Sequence, residues 1–256
     1  LILYVSRTLT TKKDDIKDFK KGLMPILWPE LVICGLILPA DFSTAAMLLI
    51  VCFTMMFIGG AKITHLASII GTAIVGFLFL ILLNMAFPGF LPRVDTWEKR
   101  MMSYGSGDKQ ENYQAEMAKR AVANGFLFGK GPGKGHVKND LYSAQSDFIY
   151  ASSIEEFGSI IGGIGLLLLY MILFFRAIRI MNKVDSKFAS YLVFGLSFML
   201  IFQSFINMGV GVNLFPVTGQ PLPLISMGGT SILFTCVSLG IILNVSSTVY
   251  NESNNV

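Results

Sequence analysis

The sequence predicts an all-α, polytopic transmembrane helical bundle, and three observations carry that prediction. Hydrophobic residues make up 53% of the 256 and charged residues only 14%, and the mean hydropathy is +0.64, far from a soluble domain. Apolar runs recur at lengths that can cross about 30 Å of hydrocarbon as helices. Basic residues crowd the segment before the first run and the short turns at 62 and 176–187, as membrane topology requires; the long segment 88–156, which also carries many, is exempt from that charge rule.

Taken in order, the runs lie near residues 22–38, 43–60, 64–87, 157–180, 188–212 and 222–246. The first two are short and are joined by LPADFST, where Pro39 and Asp41 force a break, so this pair is expected to be tightly turned or partly re-entrant. Arg7, Lys12, Lys13, Lys17, Lys20 and Lys21 crowd the segment before the first run and place it in the cytoplasm. Lys62 marks the next cytoplasmic turn, and Arg176, Arg179, Lys183 and Lys187 the one after. The connections 39–42, 88–156 and 213–221 then face outside. Three segments follow: residues 1–87 with the first spans, 88–156 as one large extracytoplasmic loop, and 157–256 with the last three spans and a cytoplasmic tail.

The net charge of +4 does not point to nucleic acid, because its cations flank apolar spans. Cys34, Cys52 and Cys236 all lie inside apolar segments, which leaves neither a disulfide framework nor a CxxC metal site. His65 and His136 fall in different loops, so a histidine-rich zinc site is not expected. The chain opens on Leu1 within an apolar segment and without signal-peptide features. It is therefore expected to be the C-terminal part of a longer membrane protein.

Chemistry is expected in the large hydrophilic loop. YQAEMAKRAVANGFLFG (113–129) has helical spacing of its apolar residues and stops at glycine, which predicts an amphipathic helix lying at the outer surface. GKGPGKGHVK (129–138) looks at first like a phosphate loop. A Walker motif would need a Gly and a Ser or Thr where Phe128 and Gly135 stand, so ATP is not its ligand. Its backbone N–H groups, with Lys130, Lys134 and Lys138, could still receive an anion; the alternative is a flexible solvated turn.

The stretch YSAQSDFIYASSIEEFG (142–158) carries three acids into an apolar run. With Ser146 as an N-cap, Asp147 would fall in a helix's first turn, where the dipole favours a carboxylate. Glu155 and Glu156 lie about 12 Å further along, beyond the reach of that dipole. At membrane depth they must face a polar cavity or pair with a cation. In residues 206–231, Pro216, Pro221 and Pro223 interrupt helix while Gly228 and Gly229 permit close backbone approach at the start of the last span. Gln203, Asn207 and Asn213 add amides there, read as helix packing ahead of substrate contact.

PVTGQPLPLISMGGTSIL (216–233) resembles the P-x-T-G-x-x-L-P-F/L-I-S-x-G-G-[ST]-S signature of the SEDS family (shape, elongation, division, sporulation). SDFIYASSIEEFG (146–158) is similar to that family's D-F-I-F/Y…E-E string, and FGKGPGKGHVK (128–138) to its G-x-G-x-G-x-S-x-x-K loop. RVDTW (93–97) sits where the family's outer loop begins with Arg, and ADFSTA (40–45) looks like its P-D-x-G-T motif. The resemblance covers essentially the whole chain, and the wording around VNLFPVTGQPLPLIS is nearer the FtsW branch than the RodA branch. Ala40, Ser43, Gly135 and the triplet Leu141, Tyr142 and Ser143 depart from the pattern. These departures bear on the donor loop and leave Asp147 in place.

The resemblance implies about six spans of a ten-span fold in the bacterial cytoplasmic (inner) membrane. It implies an inverting peptidoglycan glycosyltransferase that polymerises lipid II for cell division or growth. Asp147 would be the catalytic base for the acceptor hydroxyl, and Arg93 and Lys138 would stabilise the leaving pyrophosphate. Glu155, Glu156 and Ser226 would contact substrate. A class B penicillin-binding protein (transpeptidase), divisome or elongasome proteins and membrane lipid are the implied partners, with no nucleic acid. No metal ligands are expected; a divalent cation beside the pyrophosphate is compatible with the chemistry. A lipid II flippase is the alternative reading, since acids at membrane depth and broken helices also suit transport, and a division scaffold is a third.

Overall fold

The computed structural model describes residues 1–38, 40–86, 109–135, 137 and 144–254. Every regular element among them is helical: α1 Ile2–Thr11, α2 Met24–Ile37, α3 Phe42–Ile58, α4 Ile63–Ala86, α5 Lys109–Gly125, α6 Ile149–Gly158, α7 Leu166–Lys183, α8 Lys187–Gly211 and α9 Gly229–Asn254. Wider π-type turns, Phe19–Leu23 and Ser159–Gly165, lead into α2 and α7. Contacts divide the chain into one unit of residues 1–99 with 181–195 and a second of 100–180 with 196–256.

In the first unit, α2 and α3 form the short pair anticipated from LPADFST. Asp41 is the N-cap of α3: its carboxylate accepts from the Thr44 N–H at 3.0 Å and from the Thr44 hydroxyl, which starts the helix abruptly after the break. Pro39 lies outside the described residues. The core of this unit is apolar, with Val5, Leu9, Leu23, Ile26, Met47, Val51, Met55 and Met56 buried. Glu30 of α2 is buried with them at 0% exposure, and neither carboxylate oxygen has a hydrogen-bond partner among the described residues. His65 stands in the first turn of α4 rather than in a loop, its ring edge-on to Phe19 with centroids 5.6 Å apart.

In the second unit, α5 begins four residues before the stretch chosen from the sequence and ends at Gly125. Its apolar face does not lie against lipid. Met117, Ala118 and Ala121 join Val137, Ala144, Phe148, Ala151 and Val210 in a buried cluster, so protein covers the stripe that amphipathicity marked out. A second cluster, with Tyr150, Ile154, Tyr170, Ile201, Met208 and Leu222, ties α6, α7 and α8 to the proline-rich connection.

Among the described residues, three stretches are long and apolar enough to cross a membrane: Ile149–Lys183, Lys187–Gly211 and Gly229–Tyr250. The chain is a multi-pass membrane protein. Phe42–Ile58 and Ile63–Thr72 are shorter apolar helices. The last span begins seven residues later than residue 222, because Pro221 and Pro223 and the turn bonds that follow keep 221–228 irregular. The close approach expected at Gly229 is absent: among the described residues, nothing comes within 4 Å of a Cβ built there.

Candidate functional site

The site grows from an interruption in a helix. α6 stops at Gly158, whose φ of +81° breaks the regular ladder before the next turn starts at Ser159. Such a break orphans carbonyls on one side and N–H groups on the other, and deep in a bundle both need partners. Residues 126–131 supply them. The Phe126 carbonyl accepts from Ser159 N–H at 2.8 Å, and the Lys130 and Gly131 N–H groups donate to the Glu155 and Glu156 carbonyls at 2.9 Å each. A backbone that close tolerates no side chain. A Cβ on Gly129 would lie 2.3 Å from the Glu156 carbonyl oxygen, one on Gly158 would lie 2.2 Å from that of Leu127, and Gly129 itself has φ +76°.

The side chains of Glu155 and Glu156 complete the strap. Glu155 is fully buried; its carboxylate accepts from Lys130 Nζ at 3.2 Å, Asn124 Nδ2 at 3.4 Å and the Val137 N–H at 3.2 Å. Glu156 Oε2 accepts from the Gly133 N–H at 3.0 Å. The glycine-rich loop thus does bind anions, as its sequence suggests, but the anions are the protein's own carboxylates. The N–H groups of 130, 131, 133 and 137 are engaged inside the chain and so form no open anion cradle, while Pro132, Gly133 and Lys134 remain an exposed turn. Of the two outcomes open to a buried acid here, a polar cavity or a cation, Glu155 takes the cation.

Asp147 lies before α6, not inside its first turn. The helix starts at Ile149 with Phe148 at the N-cap position, no side chain caps it, and the Ser146 hydroxyl donates to Asp147 Oδ1 at 2.9 Å instead. The helix dipole is therefore not the reason for the carboxylate. What holds this segment is a clamp on three successive carbonyls. The Met227 N–H donates to the Gln145 carbonyl at 2.9 Å, Ser226 Oγ to that of Ser146 at 2.7 Å, and Asn207 Nδ2 to that of Asp147 at 3.1 Å. Ser226 Oγ also accepts from the Leu222 N–H at 2.7 Å, and Tyr170 donates to the Pro223 carbonyl. Asn207 and Gln203 reach the Gln220 and Pro221 carbonyls at 2.7 and 2.9 Å, so these amides brace backbone.

The two strings that stood out in the sequence, around 146–158 and 216–231, are thereby brought together through backbone acceptors. The half-buried Asp147 carboxylate is left outside the clamp, and among the described residues it joins no ion pair. Ser226 is 2% exposed and both its hydrogen-bonding roles serve the clamp. Arg93 and Lys138 lie outside the described residues. No group of three or more His, Cys, Asp or Glu among the described residues is arranged to hold a metal ion.

Along α6 a cleft of about 420 Å³ opens, with Gln145, Ser152, Ser153 and Glu156 as polar lining and Ala144, Ile149, Phe157 and Ile225 as apolar lining. The sequence had marked Glu156 as a cavity residue; it had not marked Ser152, whose one available signal was a hydroxyl at a helix position otherwise suited to an apolar residue.

Comparison with known proteins places this geometry. The cell cycle protein family FtsW/RodA/SpoVE matches residues 1–251. Stage V sporulation protein E of Bacillus subtilis is 33% identical, over 96% of this chain and 66% of its own length. A probable peptidoglycan glycosyltransferase FtsW of Francisella salina is 32% identical, over 95% of this chain and 60% of its own length. The chain thus spans just under two thirds, or less, of these relatives, and the near-equal identities do not favour the FtsW branch over the sporulation branch. Among solved structures, a chain from a peptidoglycan synthase complex that coordinates polymerization and crosslinking aligns with a TM-score of 0.71 at 23% identity, covering 97% of this chain and 68% of that one. That likeness establishes the fold.

Proposed function

The chain belongs to the FtsW/RodA/SpoVE family of cell cycle proteins, and on that premise we propose that the protein is a peptidoglycan glycosyltransferase that polymerises lipid II at the outer face of the bacterial cytoplasmic membrane. The observation that carries the reading is the backbone clamp, which positions the Asp147 segment through the carbonyls of 145–147 and leaves its carboxylate outside. Relatives named as probable peptidoglycan glycosyltransferases support it, and they disfavour the flippase alternative.

In the proposed reaction, Asp147 takes the proton of the acceptor sugar hydroxyl as that oxygen attacks the donor's anomeric carbon. The bond to the pyrophosphate breaks, and a single displacement inverts the α-linked donor to a β-linked product. Arg93 and Lys138 are assigned to the charge developing on the leaving pyrophosphate. Glu155 serves the substrate indirectly, by fixing the basic loop that precedes Lys138, and Glu156 serves it from the cleft. Ser226 acts through the Asp147 segment. A class B penicillin-binding protein is the proposed partner, in keeping with the coupling of polymerization to crosslinking in the structural neighbour.

The deciding experiment is lipid II polymerisation by the full-length protein with its cognate transpeptidase, wild type against Asp147→Asn. Loss of polymer with normal expression and partner binding is expected. Full activity in the Asn variant would remove Asp147 from the chemistry and return the reading to transport or scaffolding.

A further inference from the structure

At the end of the first unit that its basic residues assign to the cytoplasm, residues 12–22 connect α1 to the π-type turn before α2. This loop is held by its own bonds. The Asp15 N–H donates to the Lys12 carbonyl at 3.1 Å, the Asp18 N–H to the Asp15 carbonyl at 2.8 Å and the Gly22 N–H to the Asp18 carbonyl at 3.0 Å. Lys12 Nζ closes the loop on the Lys21 carbonyl at 3.1 Å. Ile16 anchors it at 3% exposure, and the chain folds back so closely that a Cβ on Gly22 would lie 2.2 Å from the Asp15 carbonyl oxygen. Between this fixed loop and the start of α4 lies a cavity of about 480 Å³, within the range of small-molecule sites, about 300–1,000 Å³. Asp14, Asp15, Lys17, Asp18 and Phe19 line it from the loop, and Lys62 and His65 from the other side.

The lining carries both signs of charge, and the charges do not meet. Among the described residues, the exposed side chains of Asp14, Asp15, Lys17 and Lys62 form no ion pair and no hydrogen bond. Asp18 commits one oxygen, Oδ1, to the Lys20 N–H at 3.0 Å. Carboxylates and ammoniums held apart around a cavity suit a ligand that carries a cation and an anion at once. A bare metal ion is not that ligand, since no three of these acids and the histidine are arranged to hold one. The place in the chain identifies the carrier. Phe19 opens the turn into apolar α2, and Lys62 stands one residue before Ile63, the 66%-exposed first residue of apolar α4. The cavity therefore lies where apolar helices give way to charged loops, the level of lipid headgroups. We infer that it is a headgroup site for a zwitterionic phospholipid bearing a primary ammonium, of the phosphoethanolamine class. The phosphate lies against Lys17 and Lys62, and the ammonium donates to Asp14, Asp15 and the second oxygen of Asp18. The site belongs to the first unit and is independent of the proposed polymerisation.

The test is lipid retention by the full-length protein, read by native mass spectrometry from detergent holding equal amounts of phosphatidylethanolamine, phosphatidylcholine and phosphatidylglycerol with identical acyl chains. The wild type is expected to retain phosphatidylethanolamine about fivefold over each of the others, the scale of one partly exposed ion pair. Choline has the charge but no N–H to donate, and the glycerol headgroup has no cation for the aspartates. Asp14→Asn combined with Asp15→Asn should bring phosphatidylethanolamine within about twofold of phosphatidylglycerol. Lys17→Gln combined with Lys62→Gln should lower phosphatidylethanolamine retention about fivefold. All four side chains are exposed, so neither double variant disturbs the fold. Equal retention of the three lipids by the wild type, a preference for phosphatidylglycerol, or phosphatidylethanolamine retention undiminished in either double variant overturns the assignment. Displacement of the bound lipid by an equal concentration of soluble phosphoethanolamine would make the site one for a free zwitterion, and overturns the lipid as its source.

Discussion

Glu155 and Glu30 are both fully buried on helices of a membrane protein, yet their surroundings are opposite. Glu155 accepts from an ammonium, a side-chain amide and a backbone N–H, and the loop that supplies those donors closes a helix interruption. Glu30 sits among apolar side chains with both oxygens unpartnered among the described residues. The difference teaches that burial alone says nothing about what an acid contributes. Glu155 organises a segment of chain, and its removal leaves several donors stranded; Glu30 binds no donor among the described residues, and its burial is a cost that other contacts of the first unit must offset.

The largest test of that contrast is Glu155→Leu. It strands the Lys130 ammonium, the Asn124 amide and the Val137 N–H together, and we expect a loss of about 3 kcal/mol, the lower end for a broken buried pair because Lys130 is 32% exposed. Thermal unfolding in detergent reads the loss, and hydrogen exchange over 126–137 should rise with it. A loss under about 1 kcal/mol would mean that the loop holds its place without the carboxylate.

Gly129→Ala probes the same strap from the backbone side. With φ at +76° and a Cβ that would lie 2.3 Å from the Glu156 carbonyl oxygen, it should cost about 2 kcal/mol and expose the same loop to exchange. Normal exchange protection in this variant would contradict the docking of 126–131 on the α6 terminus.

Lys130→Met is milder. The aliphatic stem is retained and Glu155 keeps its Asn124 and Val137 donors, so about 1–1.5 kcal/mol is expected, read as a modest drop in Tm. A loss as large as that of Glu155→Leu would make the ion pair, rather than the set of donors, the source of the stability.

Glu30→Leu should have the smallest effect and the opposite sign, from no change to a gain of about 1 kcal/mol, because an apolar group of similar size replaces a buried polar one without partners. A loss above about 2 kcal/mol would show that Glu30 has a partner that matters, and would bring the two acids into one class.

Much of the site was legible in the chain. The proline and glycine string at 216–231 and the acids at 147, 155 and 156 stand out because such residues are costly in an apolar segment. That Glu155 would need a polar cavity or a cation followed from dielectric reasoning alone; that it would be a cation did not. Nor did its identity: Lys130 is 25 residues away in sequence, and three lysines of the same loop were equally available. The placement of Asp147 in a helix's first turn failed for a related reason. Ser146 is a good cap by composition, but the 226 and 207 side chains hold its carbonyl and that of Asp147 in a turn, and the helix starts two residues after Asp147.

By itself, then, the sequence determined what depends on neighbours within a few residues or on overall composition. Residence in a membrane, the apolar helices and the break after α2 all come from side-chain hydrophobicity and backbone sterics, which act locally. The tertiary structure alone decided which donors meet which acceptors: the glycine loop turned onto the protein's own carboxylates, the clamp behind Asp147 and the covered face of α5. Those outcomes hinge on desolvation and hydrogen-bond geometry between segments distant in the chain, and both quantities exist only once the segments have met.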